Sequence, residues 1–135
     1  MFQAFCKEKL GPLALRLAIG LFAVYHGYIK IMASGGTTWY PDWPVGWQVL
    51  TAWAEFCAGV AIVLGFKCRA AAGVLLIVML GFLIATQGWR IVQLPMRTLE
   101  MTLLVLLCGL ALVCMGGGGL AIDGRSGGGR SSSRK

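Results

Sequence analysis

Glu55 is the residue of greatest chemical consequence in this chain. It stands inside AWAEFCAGVAIVLGF, Ala52 to Phe66, an apolar run that holds no other charge. A carboxylate in such a run is expensive, so it marks a functional site or a paired structural contact. Glu55 must be protonated, paired with His26 or Lys30, or hydrated in a cavity. His26 and Lys30 are four residues apart in HGYIK and share one helix face. Gln87 and Glu100 fall near the ends of two further apolar segments. His26, Lys30, Glu55, Gln87 and Glu100 therefore form a candidate polar cluster, suited to hydrogen bonding and proton exchange in apolar surroundings. Each has a plainer reading. His26 could bond a backbone carbonyl, and Lys30 could snorkel to the membrane surface. Glu100 could be an acid in the first turn of its helix, favoured by the helix dipole. Arg16 is set apart as a structural or lipid-facing cation. No catalytic residue is assigned.

The elements that must position these groups follow from the apolar runs. A hydrocarbon core of ~30 Å needs ~20 helical residues. Spans are predicted at about 13–32, 47–66, 70–88 and 98–115. Gly11-Pro12 opens the first, with Pro12 in the first turn, where its missing N–H costs nothing. The start is read as a retained helix, because its run is too long for a signal peptide and no small-x-small cleavage site follows. Ala33 to Trp47 is a loop by its glycines, prolines and Asp42. Its Trp39, Tyr40, Trp43 and Trp47 suit the headgroup interface. Only Lys67, Cys68 and Arg69 join the second and third spans, which forces an antiparallel hairpin. GWRIVQLPMRT forms a short amphipathic connection, and Pro95 bars a continuous helix through it. Residues 1–9 are a short leading segment, 10–120 the four-helix domain, and 121–135 a disordered basic tail.

At ~1.5 Å per residue, Glu55 lies ~12 Å below the Trp47 end of its helix. His26 lies ~9 Å below the same surface, counted from Met32. All four predicted helices thus bring polar groups to one half of the molecule. Gly20, Ala23 and Gly27 share the Arg16–Lys30 stripe, and Gly59 lies one turn from Glu55; small residues of this kind let helices approach closely in lipid.

Composition agrees. Hydrophobic residues make up 58% of the 135 and charged residues 13%, far from the soluble balance of about half and a quarter. The net charge of +7 comes from cations at segment ends and in the tail, where topology needs them, so no nucleic-acid partner is predicted. The five cysteines are Cys6, Cys57, Cys68, Cys108 and Cys114. They form no Cys-x-x-Cys and no zinc-ligand spacing, so neither a metal site nor a thiol relay is predicted. Cys57, Cys108 and Cys114 read as small buried thiols. Lys7, Lys9, Lys67, Arg69, Arg125, Arg130, Arg134 and Lys135 fall on the side of the termini, against Arg90 and Arg97 opposite. By the positive-inside rule that side is cytoplasmic. The predicted fold class is all-α: an integral membrane four-helix bundle with both termini in the cytoplasm.

The pattern RLAIGLFAVYHGYIKIM, then AWAEFCAGVAIVLGFKCRAAAGVLLIVMLGF, then a fourth span closing in GGGGLAID, resembles the DoxX family of small four-helix bacterial membrane proteins. The likeness runs from Leu10 to about Asp123. Its most specific parts are Arg16 with His26-Gly27-x-x-Lys30, Glu55 with Gly59, the turn from Leu64 to Arg69, and the closing Leu-x-x-Asp. The resemblance implies a multi-pass protein of the bacterial plasma membrane that associates with oxidoreductases. Relatives include a membrane subunit of thiosulfate:quinone oxidoreductase and a membrane partner of a thiol-oxidising, superoxide-handling complex.

Three functions follow. The first is a membrane subunit that anchors a partner oxidoreductase and binds quinone in the outer half of the bundle. His26, Glu55 and Gln87 would serve the carbonyls and exchange protons. With no haem-ligand pair, flavin motif or metal cluster in the sequence, electrons would come from the partner, and the chain is not expected to be catalytic alone. The second is a small proton-coupled transporter using Glu55, working as a homo-oligomer; Lys30 and Arg16 would repel its cation. The third is a structural membrane scaffold.

Overall fold

The computed structural model describes residues 6–34, 43–87 and 96–122. A π-helical turn, Cys6–Leu10, leads into four helices: α1 (Gly11–Ser34), α2 (Val45–Leu64), α3 (Cys68–Gln87) and α4 (Met96–Met115). No strand occurs among the described residues. Trp39, Tyr40, Arg90, Pro95 and the tail after residue 122 lie outside the described residues.

The helix ends differ from the predicted ones for local reasons. α2 spans Val45–Leu64, where the apolar run suggested about 47–66. Pro44 precedes it, and the Pro44 carbonyl accepts the N–H groups of Trp47 at 3.0 Å and Gln48 at 3.3 Å. Gly65 ends it in the left-handed region at φ 77°, ψ 26°. The Gly65 N–H donates to Ile62 O at 3.1 Å and the Phe66 N–H to Ala61 O at 2.9 Å. This paired closure is the Schellman motif, and glycine adopts its conformation without a Cβ clash. Phe66 therefore belongs to the turn. α3 starts at Cys68, because the Lys67 carbonyl already accepts the Ala71 N–H at 2.9 Å.

Packing is closest between α1 and α2; α2 also meets α3, α3 meets α4, and α4 returns to a smaller contact with α1. The α1–α2 approach depends on three glycines. A Cβ on Gly27 would stand 2.6 Å from the Phe56 backbone nitrogen, and one on Gly59 2.7 Å from that of Val24. A Cβ on Gly20 would come within 3.0 Å of the Gly59 carbonyl. The small-residue stripe thus brings backbone against backbone. Ile19, Ala23, Ala58, Ile62, Leu75 and Leu112 form the core beneath it.

The outer surface is apolar on every helix: Leu21, Leu50, Ile77 and Leu107 are each more than half exposed. Gly11–Ala33 and Val45–Leu64 are long and apolar enough to cross a membrane, and Cys68–Ile84 and Glu100–Met115 are shorter apolar stretches. The expectation of buried thiols fails for two cysteines. Cys57 and Cys114 are exposed on this apolar surface, Cys108 is half-buried, and Cys68 at the start of α3 is the buried one. An apolar thiol can face lipid at no greater cost than a core, so an apolar run does not reveal which way its cysteine points.

Candidate functional site

The inward face of α2 builds the site. Gln48, Ala52, Glu55, Gly59 and Ile62 are all buried, and their alternating spacings of four and three are those of one helix face. Glu55 is wholly buried. Across the tight contact at Gly27, α1 delivers Lys30, whose Nζ lies 2.5 Å from Glu55 Oε2. The other carboxylate oxygen, Oε1, is buried with no hydrogen-bond partner among the described residues. Lys30 keeps 18% side-chain exposure. It does not simply run up to the surface, since the ion pair turns it inward. Its ammonium also lies 5.3 Å from the centroid of the Phe82 ring of α3, a cation–π contact.

His26 is half-buried one turn below Lys30. Its ring is tilted on Phe22 at 4.2 Å and meets Tyr25 edge-on at 5.7 Å. The charges of Glu55 and Lys30 both act on it. Of the candidate cluster, then, the structure joins Lys30 to Glu55 and sets His26 within their field. Gln87 is the last residue of α3, and its side chain lies outside the described residues. Glu100 is exposed and, among the described residues, shares no hydrogen bond or ion pair with the cluster. It is not a first-turn acid either, because α4 begins at Met96 and its first turn holds no acid.

Gln48, Trp43 and Phe82 complete the surroundings, and the sequence reading assigned none of them to the site. Gln48 is 1% exposed, and its Nε2 donates to the Trp43 carbonyl at 2.7 Å. The Trp43 ring stands edge-on to Phe82 at 5.8 Å. Gln48 was findable, since it lies two turns before Glu55 on the same face. Beside this aromatic pair a groove of about 660 Å³ opens between α2 and α3, walled by Trp43, Trp47, Leu50, Thr51, Ile77 and Phe82. Phe82 thus both lines the groove and approaches the Lys30 ammonium.

Arg16 works elsewhere. It is 2% exposed, so it neither snorkels nor faces lipid. Its Nε donates to Ile62 O at 3.0 Å, one terminal nitrogen to Val63 O at 2.7 Å, and the other to Gly117 O at 3.2 Å. A guanidinium presents donors in a planar fork. Here the fork collects carbonyls at the C-terminal end of α2 and ties them to the segment after α4.

The arrangement can bind a lipophilic ring: an apolar groove with an aromatic wall, whose Phe82 also meets the Lys30–Glu55 pair and its unused acceptor. Comparison with known proteins adds the lineage. Searches of curated proteins and of solved structures found no match. A model of the DoxX family matches residues 11–88, more than half of the chain, and takes in Arg16, His26, Lys30 and Glu55. The chain therefore belongs to the DoxX family and, with its two helices of membrane-crossing length, is a membrane protein.

Proposed function

We propose that this protein is a multi-pass subunit of the bacterial plasma membrane that serves a partner oxidoreductase and holds a quinone-type ligand. The observation that carries the reading is the double role of Phe82, which walls the apolar groove and carries the Lys30 ammonium of the Lys30–Glu55 pair. A ring with an isoprenoid tail suits this place, because the tail can remain in lipid while the ring lies along Trp43 and Phe82. Largely apolar clefts of this size are where small ligands bind. Glu55 and Lys30 supply the polar end, and the charges of both act on His26. Gln48 fixes the Trp43 backbone and hence the mouth of the groove.

Orientation by the positive-inside rule puts the groove in the outer half, with both termini cytoplasmic. The partner is read from the resemblance and supplies the electrons; this chain alone is not catalytic. The ion pair weighs against the transporter reading, since a lipophilic cation would have to displace Lys30 from Glu55. The test is purification from the native membrane in mild detergent, with mass spectrometry of what accompanies the protein, followed by titration with a short-tailed quinone while tryptophan fluorescence is read. A stoichiometric oxidoreductase and saturable quenching are expected. A lone protein with no quenching would sink the reading.

A further inference from the structure

We propose that Glu55 Oε1 is a ligand-facing acceptor, so that the site takes the hydroxyl-bearing, hydroquinone form of its ligand in preference to the quinone form. The inference rests on the quinone-type reading above and specifies the redox state that the site favours.

The two oxygens of the Glu55 carboxylate are used differently. Oε2 is held by Lys30. Oε1 is buried and receives no hydrogen bond from any described residue. An ionised carboxylate only accepts hydrogen bonds. Leaving such an oxygen buried and unsatisfied is costly, and a donor brought to it recovers that cost. In the ion pair Glu55 is the acceptor partner and Lys30 the donor, so Oε1 is the acceptor left over. A quinone carbonyl is also acceptor-only, and placing it against Oε1 would set two electron-rich oxygens together. A hydroquinone hydroxyl donates instead. The O–H to carboxylate bond is of the charge-assisted kind, shorter and stronger than a neutral one. A site built to bond a hydroxyl rejects the analogue that lacks it far more strongly than an apolar pocket could.

Phe82 walls the groove and its ring centroid lies 5.3 Å from the Lys30 ammonium, so the proposed route to Oε1 runs past this ring. Ala54, next to Glu55 in the chain, also lines the groove. Glu55 is wholly buried and does not itself line the groove, so reaching the carboxylate requires the ligand ring to turn Phe82 aside.

The experiment uses the full chain in nanodiscs of zwitterionic lipid under anaerobic conditions. Three short-tailed probes are titrated: a benzohydroquinone, its quinone, and its dimethyl ether. Quenching of tryptophan fluorescence reads binding. The hydroquinone is expected to bind about 10- to 100-fold more tightly than the quinone, and the dimethyl ether to lose the same advantage. Glu55→Gln should erase the preference, because an amide both donates and accepts. That variant is checked by its thermal melt, and the three-probe comparison on the unaltered protein decides the matter if it misfolds. Equal or tighter binding of the quinone, or undiminished binding of the ether, overturns the inference and leaves the groove reading standing. Binding of none of the three overturns both.

Discussion

Arg16 and Lys30 are both cations inside apolar helices, yet their loss should be felt in different ways. The Arg16 guanidinium spans three carbonyls from two separate segments. Lysine keeps the charge but is a point donor on a flexible stem, and it cannot reproduce the fork. Arg16→Lys should therefore cost ~2–4 kcal/mol, the value of lost bonds to a charged group in a buried place. Reversible unfolding in mixed micelles measures it, and a loss below the error would show the fork to be dispensable. For Lys30 the issue is what remains behind. Lys30→Met leaves the wholly buried Glu55 without its counter-charge, and breaking a buried pair from one side costs ~3 kcal/mol or more. Adding Glu55→Gln removes the stranded charge, so the double variant should recover about half of that loss. A double variant as unstable as the sum of the singles would contradict the pairing. Arg16 shows why part of this was illegible in the sequence. Its acceptors lie 46, 47 and 101 residues away, and no local pattern marks backbone carbonyls that only the assembled helices bring together. The meeting of Lys30 and Glu55 was legible, because depth along a helix follows from counting residues at a fixed rise.

At the scale of elements, the pair exists only because α1 and α2 touch through glycine. A methyl on Gly27 would meet the Phe56 backbone nitrogen at 2.6 Å, and one on Gly59 that of Val24 at 2.7 Å. Backbone cannot swing aside as a side-chain tip does, so the helices must part. Gly27→Ala or Gly59→Ala should cost ~1–3 kcal/mol, in the range of overpacked cores, and should weaken ligand binding as Lys30 draws away from Glu55. Gly73 is the control. A Cβ there meets nothing within 4 Å, and alanine is the better helix former by ~1 kcal/mol, so Gly73→Ala should be neutral or stabilising. Thermal melts of the three variants, set beside quinone titrations, check this ordering; equal destabilisation at Gly73 would remove the contact argument. The stripe that makes this approach was readable from spacing alone. The helix ends were less so, since the apolar run continues through Phe66 while the backbone has already turned at Gly65. Glu100 was misplaced for a related reason: α4 starts at Met96, ahead of the continuous apolar run.

Along the whole molecule, the two ends of α2 carry opposite kinds of chemistry. At one end Arg16 joins the α2 C-terminus to Gly117, Arg69 reaches the Cys114 carbonyl at 3.4 Å, and Lys9 lies beside Gly119. This basic end is where the positive-inside rule puts the cytoplasm. At the other end Trp43 and Trp47 flank the groove, as rings with a polar edge do at the opposite interface. α2 has 20 residues and so rises ~30 Å, which matches one hydrocarbon core. Position 67 follows the last turn of α2 and position 47 lies in its first, so they must face opposite compartments if the helix crosses. Single cysteines can report this, placed by Lys67→Cys and Trp47→Cys in a background freed of the five native ones, none of which forms a disulfide. A membrane-impermeant maleimide should label position 47 in intact cells and position 67 only in inverted vesicles. Both side chains are exposed, so lack of access does not explain a silent site once detergent restores its labelling. Labelling of both positions from one side would mean that α2 does not cross, and the placement of the groove in the outer half would fall with it.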